Sequence, residues 1–240
     1  MANEHGEWIM YGVEEDDPLC LHDVDELIAC VNEVGFLPLF KNEAPGFSVE
    51  ERTGAGWWWS ENEARDPWIW RGTASRSARV AYGKFFDRKA GFISLDWLPY
   101  FVNYRRNGYD FDARWDDGLA SYREKHIMDL FEERETLFSS EMKQMAGFGK
   151  DGDKNFDGVL TELQMQSYLT VRDFRKRLNK KGQPYGWAVA VYCTPEALWG
   201  AERVTAAYAE DPEVSKERIL AHLEKTFPGA KRQQLEKLIK

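Results

Sequence analysis

Two glutamine side chains, Gln164 and Gln166, are the residues of this sequence best suited to chemistry. Neutral amides are poor general acids and bases, but they can orient a water molecule and place carbonyl oxygens beside a developing positive charge. That chemistry suits a reaction whose leaving group is already activated. Side chains two positions apart in a helix point about 200° apart. Both amides can therefore serve one site only where the helix ends.

A basic segment follows the glutamines. Between Val171 and Gly182 six basic side chains stand against the single acid Asp173, which makes a local net charge of +5 in a chain whose total is −9. The six are Arg172, Arg175, Lys176, Arg177, Lys180 and Lys181. Such a local reversal of charge favours a surface for a polyanion, and we expect duplex DNA. The alternative is a solvated hairpin whose charges only protect an exposed strand edge.

The loop before the glutamines partly matches a calcium-binding loop. Oxygen-bearing side chains occupy positions 1, 3, 5 and 12 of that pattern, in the order Asp151, Asp153, Asn155 and Glu162. The pattern fails at position 6, where the sharp turn needs glycine and the chain has Phe156. We therefore interpret the segment as a flexible loop rather than a metal site.

Carboxylates and tryptophans form two further clusters. Paired carboxylates can hydrolyse glycosides, and four aspartates lie close together at Asp110, Asp112, Asp116 and Asp117. Aromatic rings can stack on bases or sugars, and five tryptophans lie close together at Trp57, Trp58, Trp59, Trp68 and Trp70. Salt bridges in a linker and packing in the core are the simpler interpretations. A pocket for a small ligand or a carbohydrate stays open as an alternative.

Other cofactor and metal chemistry has no support in the sequence. The histidines show neither metal-ligand spacing nor a serine–histidine–aspartate order. Cys20, Cys30 and Cys193 are far apart and include no CxxC pair. There is no GxGxxG or GxxxxGK[ST] run. We expect no metal and no cofactor.

A helix and a hairpin must position the glutamines and the basic segment. Leu160, Leu163 and Tyr168 have near-helical spacing, whereas Tyr185 to Val191 alternates between large and small residues as a strand does. Lys180, Lys181 and Gly182 lie between the two strands of a predicted hairpin, where glycine permits a tight turn. A short helix followed by a basic hairpin is the outline of a winged helix.

The same order occurs earlier in the chain. Residues 79–93 are typical of two strands around a turn at 87–89, and Ser94 is a candidate cap for a following helix. After the second hairpin, Thr194 and Pro195 begin another short helix. The basic side chains of the earlier hairpin are Arg79, Lys84, Arg88 and Lys89. We predict an α+β protein, mostly helical, with tandem winged-helix-like units and small β-hairpins.

The remaining segments complete the predicted organisation. We expect an acidic arm at 1–20, a first unit at 21–112, a second unit with the Gln-x-Gln motif at 113–200, and C-terminal helices at 201–240 packing on the second unit. Ten carboxylates and no lysine or arginine occur in residues 1–40. One hypothesis is that the arm competes with nucleic acid for a basic surface; the alternative is a solvated arm.

Composition limits the class of protein. With 240 residues, 43% of them hydrophobic, the chain can bury a sizeable core. It has no run of 18 apolar residues, and its N-terminus lacks the basic and apolar regions of an export signal. We expect a soluble cytoplasmic protein with no membrane partner. The oligomeric state has no signature in the sequence.

Two segments resemble a known family. LTELQMQSYLTVRDFRKR is similar to the Gln-x-Gln segment and following arginine-bearing stretch of the AlkZ-type winged-helix alkylpurine DNA glycosylases. RVAYGKFFDRKAGFISLDWLPYF resembles that family's hairpin and aromatic helix, and the likeness covers residues 75–195 in patches. The resemblance implies a tandem winged-helix fold that holds damaged DNA and excises cationic N-alkylated purines. It also implies that Gln164 and Gln166 serve hydrolysis of the N-glycosidic bond.

Three functions follow from these observations. The first is a DNA repair hydrolase that removes alkylation damage, with the basic side chains of both hairpins on phosphates. The second is a non-enzymatic DNA-binding module or regulator, in which the helix from Leu160 to Leu169 approaches a groove. The third is the pocket for a small ligand or carbohydrate.

Overall fold

A computed structural model describes residues 10–240 of the chain, and these residues form twelve helices and six strands. The helices are α1 Val24–Val34, α2 Pro67–Ser77, α3 Leu98–Arg106, α4 Phe111–Asp116, α5 Tyr122–Met128, α6 Leu130–Glu133, α7 Ser139–Met145, α8 Phe156–Met165, α9 Pro195–Trp199, α10 Ala201–Val204, α11 Pro212–Thr226 and α12 Arg232–Ile239. The strands are β1 Phe36–Pro38, β2 Val80–Phe86, β3 Lys89–Ser94, β4 Leu137–Phe138, β5 Thr170–Leu178 and β6 Pro184–Cys193. Two 3₁₀ turns, Glu50–Arg52 and Ala55–Trp57, lie between β1 and α2.

Local signals set the beginning and end of the first helix. The Asp23 side chain accepts hydrogen bonds from the backbone N–H groups of Asp25 and Glu26, which caps α1. Gly35 ends the helix with a positive φ of 87°, a conformation that glycine adopts without steric cost. The chain then enters β1 directly.

The strands form two small antiparallel sheets with the same arrangement. The first has the order β1-β3-β2 and the second has the order β4-β6-β5. In each, a short early strand pairs with the second strand of a later hairpin. Both predicted hairpins are therefore present, and the prediction of an α+β protein with small β-hairpins is confirmed at this level.

The two halves pack reciprocally. Helix α2 lies against β5, and helix α8 lies against β2. The Thr170 hydroxyl on β5 donates to the Tyr82 carbonyl on β2 at 3.0 Å, which joins the two hairpins at their first strands. Each helix that precedes a hairpin thus packs on the hairpin of the other half.

The tryptophan cluster belongs mostly to the core. Trp58 and Trp70 are buried, and their indole N–H groups donate to the Thr53 hydroxyl and the Ala64 carbonyl. Trp57 and Trp68 are partly buried, and Trp59 has 47% of its surface exposed. Aromatic side chains such as these bury large areas and still satisfy their polar atom. This agrees with core packing rather than with a stacking surface.

The last helices pack on the first half of the chain. The α11 side chains Ile219, Leu220 and Leu223 are fully buried, and this helix lies along α3. The Asn103 amide of α3 donates to the Ser215 hydroxyl of α11 at 3.0 Å. The expectation that residues 201–240 pack on the second unit is therefore wrong for α11 and α12. The apolar face of α11 is covered by α3 and the aromatic core beneath it.

Several predicted boundaries shift. Ser94 ends β3 instead of capping a helix, and the residue before α3 is Trp97. Helices α5 and α6 are two short helices that meet at Asp129. The segment predicted as a linker at 109–117 contains α4. Of the acidic arm, residues 1–9 lie outside the described residues.

The described part of the arm lies along the loop that precedes α2. The Val13 N–H donates to the Thr53 carbonyl at 3.1 Å, and Glu15 pairs with Arg65 at 2.6 Å. No described residue of the arm pairs with a basic side chain of the 171–182 segment. Among residues 10–240, no helix has the length and hydropathy needed to cross a bilayer.

Burial predicts that alanine substitution of two leucines lowers the free energy of unfolding by different amounts. We expect Leu163→Ala, at a fully buried position, to lower the free energy of unfolding by about 2–5 kcal/mol because it leaves a cavity. Leu178→Ala removes the same atoms at a position that is 64% exposed, and we expect a change within about 0.5 kcal/mol. Urea denaturation followed by circular dichroism measures both. Equal losses would contradict this description of the core.

Candidate functional site

The Gln-x-Gln motif spans the end of α8. Gln164 lies in the last turn of the helix, and Gln166 is the residue that follows it as the cap. Ser167 then has a φ of +62°, so the chain leaves the helical path directly after the motif. The N–H groups of Tyr168 and Leu169 donate to the Leu163 carbonyl and close the helix end. The motif therefore occupies the helix end that a shared site requires.

Gln164 is buried and fully engaged. Its Oε1 accepts a hydrogen bond from the Lys84 backbone N–H of β2 at 3.1 Å, and its Nε2 donates to the Leu160 carbonyl at 3.0 Å. Burial raises the pKa of Tyr192, and the neighbouring Gln164 side chain opposes that shift. Only 1% of Gln164 is exposed. Gln164 therefore joins α8 to the first hairpin.

Gln166 faces a different environment. Its Oε1 accepts a hydrogen bond from Arg114 of α4, and Arg114 also pairs with Glu124 at 3.4 Å. Gln166 is only partly buried, and with Met165 and Glu162 it lines a cleft of about 430 Å³. The two amides of the motif thus point to different surroundings, and only Gln166 reaches open space.

A buried arginine, Arg106, holds the backbone directly after the Gln-x-Gln motif. Arg106 pairs with Glu196 at 2.5 Å, donates to the Ser167 carbonyl at 2.6 Å and lies over the Tyr168 ring at 4.4 Å. Burial alone would lower the pKa of Arg106, but the facing Glu196 carboxylate and the Tyr208 hydroxyl hold it above its ordinary value. No sequence signal points to this pair, since its members are 90 residues apart and belong to no motif.

The second hairpin extends well away from the body. All residues from 175 to 188 are exposed. Its turn is the predicted one, in which Asn179 Oδ1 accepts from the Lys181 and Gln183 N–H groups and Gly182 has a φ of +75°. Pairing is interrupted between Arg175 and Arg177, where β6 carries extra residues and Gly186 has a φ of +69°. Such a bulge redirects side chains, and here Trp187 is 91% exposed.

The basic side chains of this hairpin differ in their partners. Arg172 donates to the Arg76 carbonyl at 2.7 Å, and Arg175 lies 3.4 Å from Asp173. The other four have no carboxylate within ion-pair distance among the described residues, and they are Lys176, Arg177, Lys180 and Lys181. Four of the six predicted contacts thus form an open cationic surface near the tip.

The basic side chains of the first hairpin mostly make internal contacts. Arg79 pairs with Asp25 at 2.7 Å, and Arg88 pairs with Glu162 at 2.8 Å. The Lys84 ammonium donates to the Thr161 hydroxyl at 3.1 Å. Lys89 is exposed and lines a second, larger cavity. This hairpin offers less free positive charge than the second.

The remaining candidate clusters have structural roles. Asp110 caps α4, and Asp117 accepts a hydrogen bond from the Tyr109 hydroxyl. Asp153 lies 3.7 Å from His126 and 4.0 Å from Arg123. Among the described residues, no group of three or more histidine, cysteine or acidic side chains could hold a metal ion. The Asp110 and Asp117 contacts agree with a structural role for the 110–117 segment.

Comparison with known proteins gives one match. The model of a family described as AlkZ related matches residues 21–240. No curated protein and no solved structure matches the chain.

The contacts of the two glutamines predict unequal effects on stability. We expect Gln164→Ala to lower the free energy of unfolding by about 2 kcal/mol or more, because the Lys84 N–H is left without its acceptor and a cavity opens. Gln166→Ala should cost less, because the side chain is partly exposed and water can replace it at Arg114. Denaturant unfolding of both variants provides the comparison. A larger decrease for Gln166→Ala would contradict these contacts.

Proposed function

The chain belongs to the AlkZ-related family, and on this basis we propose that it binds duplex DNA and hydrolyses the N-glycosidic bond of alkylated purines. One observation carries the proposal. Gln166 lies at the open end of α8, beside a cleft, in a molecule with an exposed cationic hairpin. An amide at the edge of a cleft can hold a water molecule against a bound nucleotide.

We interpret each half as a winged-helix-like unit. In both, a helix, a short strand, further helices and a hairpin follow in the same order, and the short strand pairs with the second strand of the hairpin. The proposed units are 21–112 and 113–200, with 201–240 as an appended helical segment and 1–20 as the acidic arm. In this interpretation the second hairpin is the wing that approaches DNA.

The proposed chemistry requires little acid or base strength from the protein. Alkylation leaves the purine cationic, so it departs without a strong general acid. The Gln166 carbonyl oxygen keeps a second lone pair beyond its bond to Arg114, and it can accept a hydrogen bond from the attacking water. A partial negative charge there also favours an oxocarbenium-like sugar. Gln164 contributes by fixing the end of α8 against β2.

In this proposal the protein contacts the phosphate backbone of the DNA. Cations that project from an exposed hairpin neutralise phosphates without reading sequence. Helix α8 is a poor groove reader, because Thr161 and Gln164 on its β2-facing side are buried. We therefore do not assign sequence recognition to the helix from Leu160 to Leu169.

A non-enzymatic DNA-binding protein is the second candidate. The observation in its favour is that Gln164 has no free hydrogen-bonding capacity directed at open space. In this case the hairpin binds DNA in the same way, and no base is released. The third alternative, a carbohydrate pocket, has less support, because two of its four carboxylates, Asp110 and Asp117, are used in a helix cap and a contact with a tyrosine hydroxyl.

The cationic side chains of the second hairpin predict that the affinity for duplex DNA falls as the salt concentration rises. We expect the double variant Arg175→Ala, Lys180→Ala to weaken binding of duplex DNA and to lower the slope of log affinity against log salt by about 1 for each phosphate that is no longer neutralised. Fluorescence anisotropy over a series of salt concentrations measures the slope. Lys225→Ala on α11, an exposed lysine outside the hairpin, is the control. An unchanged slope would remove the hairpin from the proposed interface.

Base release tests the chemistry. We expect the unaltered protein to release free base from duplex DNA that carries N3- and N7-methylated purines, and Gln166→Ala to reduce the rate by at least about 100-fold while the protein stays folded. Gln144→Ala, at an exposed position on α7, should leave the rate unchanged. Chromatography of released bases gives the rates.

The outcomes separate the two candidates. DNA binding without base release by the unaltered protein would favour the non-enzymatic candidate. Release that persists in Gln166→Ala would place the chemistry elsewhere. The rate of Gln164→Ala must be read together with a measurement of its stability, because removing this side chain also weakens the contact between α8 and β2.

A further inference from the structure

The cleft beside Gln166 is built from four separate parts of the chain. Its walls come from the end of α8, the turn between β2 and β3, the end of α3 and the end of α12. Tyr104 and Met165 supply its apolar surface. Its volume of about 430 Å³ is in the range of pockets that bind small molecules or single nucleotides.

Positive charge predominates in this cleft. Four cations line it, Arg88, Arg105, Lys237 and Lys240, together with two carboxylates, Asp87 and Glu162. Arg88 and Glu162 neutralise one another at 2.8 Å. Lys237 also reaches Glu43 outside the cleft at 2.7 Å, but that pair is more than half exposed and contributes little. Beyond the Arg88–Glu162 pair, three cations, Arg105, Lys237 and Lys240, face the single carboxylate of Asp87.

Arg105 has an unusual environment for a cation. Its Nε donates to the Ile239 carbonyl, and its Nη2 donates to the carbonyls of both Ile239 and Phe85. Its Nη1 is buried without a hydrogen-bond partner in the described structure. No carboxylate of the described residues lies within ion-pair distance. Burial lowers the pKa of Arg105 to about 9. The guanidinium also lies 4.7 Å from the centre of the Phe101 ring. A desolvated guanidinium whose partners are neutral carbonyls and an aromatic ring is costly unless an anion approaches it.

The C-terminal helix holds the lysines in place around this arginine. Arg105 donates to the Ile239 carbonyl at the end of α12, where a cation complements the helix dipole. The Asp87 N–H donates to the Leu238 carbonyl at 3.2 Å, so the β2–β3 turn also fixes α12. Lys237 and Lys240 are thereby kept at the cleft that contains Gln166.

We propose that this cleft is a phosphate-binding subsite in which the C-terminal helix supplies Lys237 and Lys240 beside Arg105. The ligand class is a phosphate mono- or diester. If the phosphate belongs to a DNA strand, the subsite extends the interface from the hairpin to the nucleotide beside Gln166, and this part of the inference rests on the proposed function. A free nucleotide is the other source of the same chemistry.

The test compares two double variants that remove the same charge. Lys237→Gln, Lys240→Gln alters the cleft, and Lys225→Gln, Lys231→Gln alters exposed lysines of the same tail segment that do not line it. One arm measures the salt dependence of binding to a fluorescent duplex oligonucleotide. The other measures binding of deoxyadenosine monophosphate and of inorganic phosphate by calorimetry.

We expect the cleft variant to lower the salt slope for duplex DNA by about 1 to 2, and the control to leave it unchanged. Weaker mononucleotide or phosphate binding with an unchanged DNA slope would support the subsite with a free phosphate compound as its ligand. Equal behaviour of the two variants in both arms would overturn the proposal. Failure of the proposed function is distinguishable, because it appears as absent base release by the unaltered protein whatever the cleft variant does.

Discussion

The rest of the structure depends on the contact between each hairpin and the helix of the opposite half. A three-stranded sheet of this size is stable only when one face is covered by other elements, and here β2 and β5 are covered by α8 and α2. The Gln164 side chain takes part in this contact through the Lys84 N–H. Since one face of each helix is covered in this way, the surfaces of the second half that stay open to a partner include the hairpin tip and the end of α8.

Features that depend on neighbouring residues were predictable from the sequence. Asp23 caps the start of α1 and Gly35 ends it, and the turn at 180–182 joins two strands whose large and small residues alternate. Helix caps and turns depend on residues only a few positions apart, so both can be identified in the sequence. Contacts between distant segments were not predictable. The Lys84–Gln164 bond spans 80 residues and the Asn103–Ser215 bond spans 112. The same limit explains why α11 was expected on the wrong half: its apolar face is visible in the sequence, but its partner is not.

The distribution of charge reconciles an acidic chain with a DNA-binding proposal. In the first hairpin, Arg79 pairs with Asp25 and Arg88 pairs with Glu162. The tip of the second hairpin has no nearby acid among the described residues. In the described part of the arm Glu15 is engaged by Arg65. Because exposed charges farther apart than about 10 Å are largely screened at ordinary salt, the sign of the local surface matters more to a phosphate backbone than the total of −9.

The burial of Gln164 bears on how a two-amide motif can work in this chain. Releasing Gln164 into a site would leave the Lys84 N–H without its acceptor, at a cost of about 1–3 kcal/mol. Gln166 carries no such constraint, since Arg114 holds its oxygen near the surface. The Arg106 bond to the Ser167 carbonyl restrains the backbone beside it. In the proposed mechanism, therefore, one amide meets the substrate, and the other determines where the helix that carries it ends.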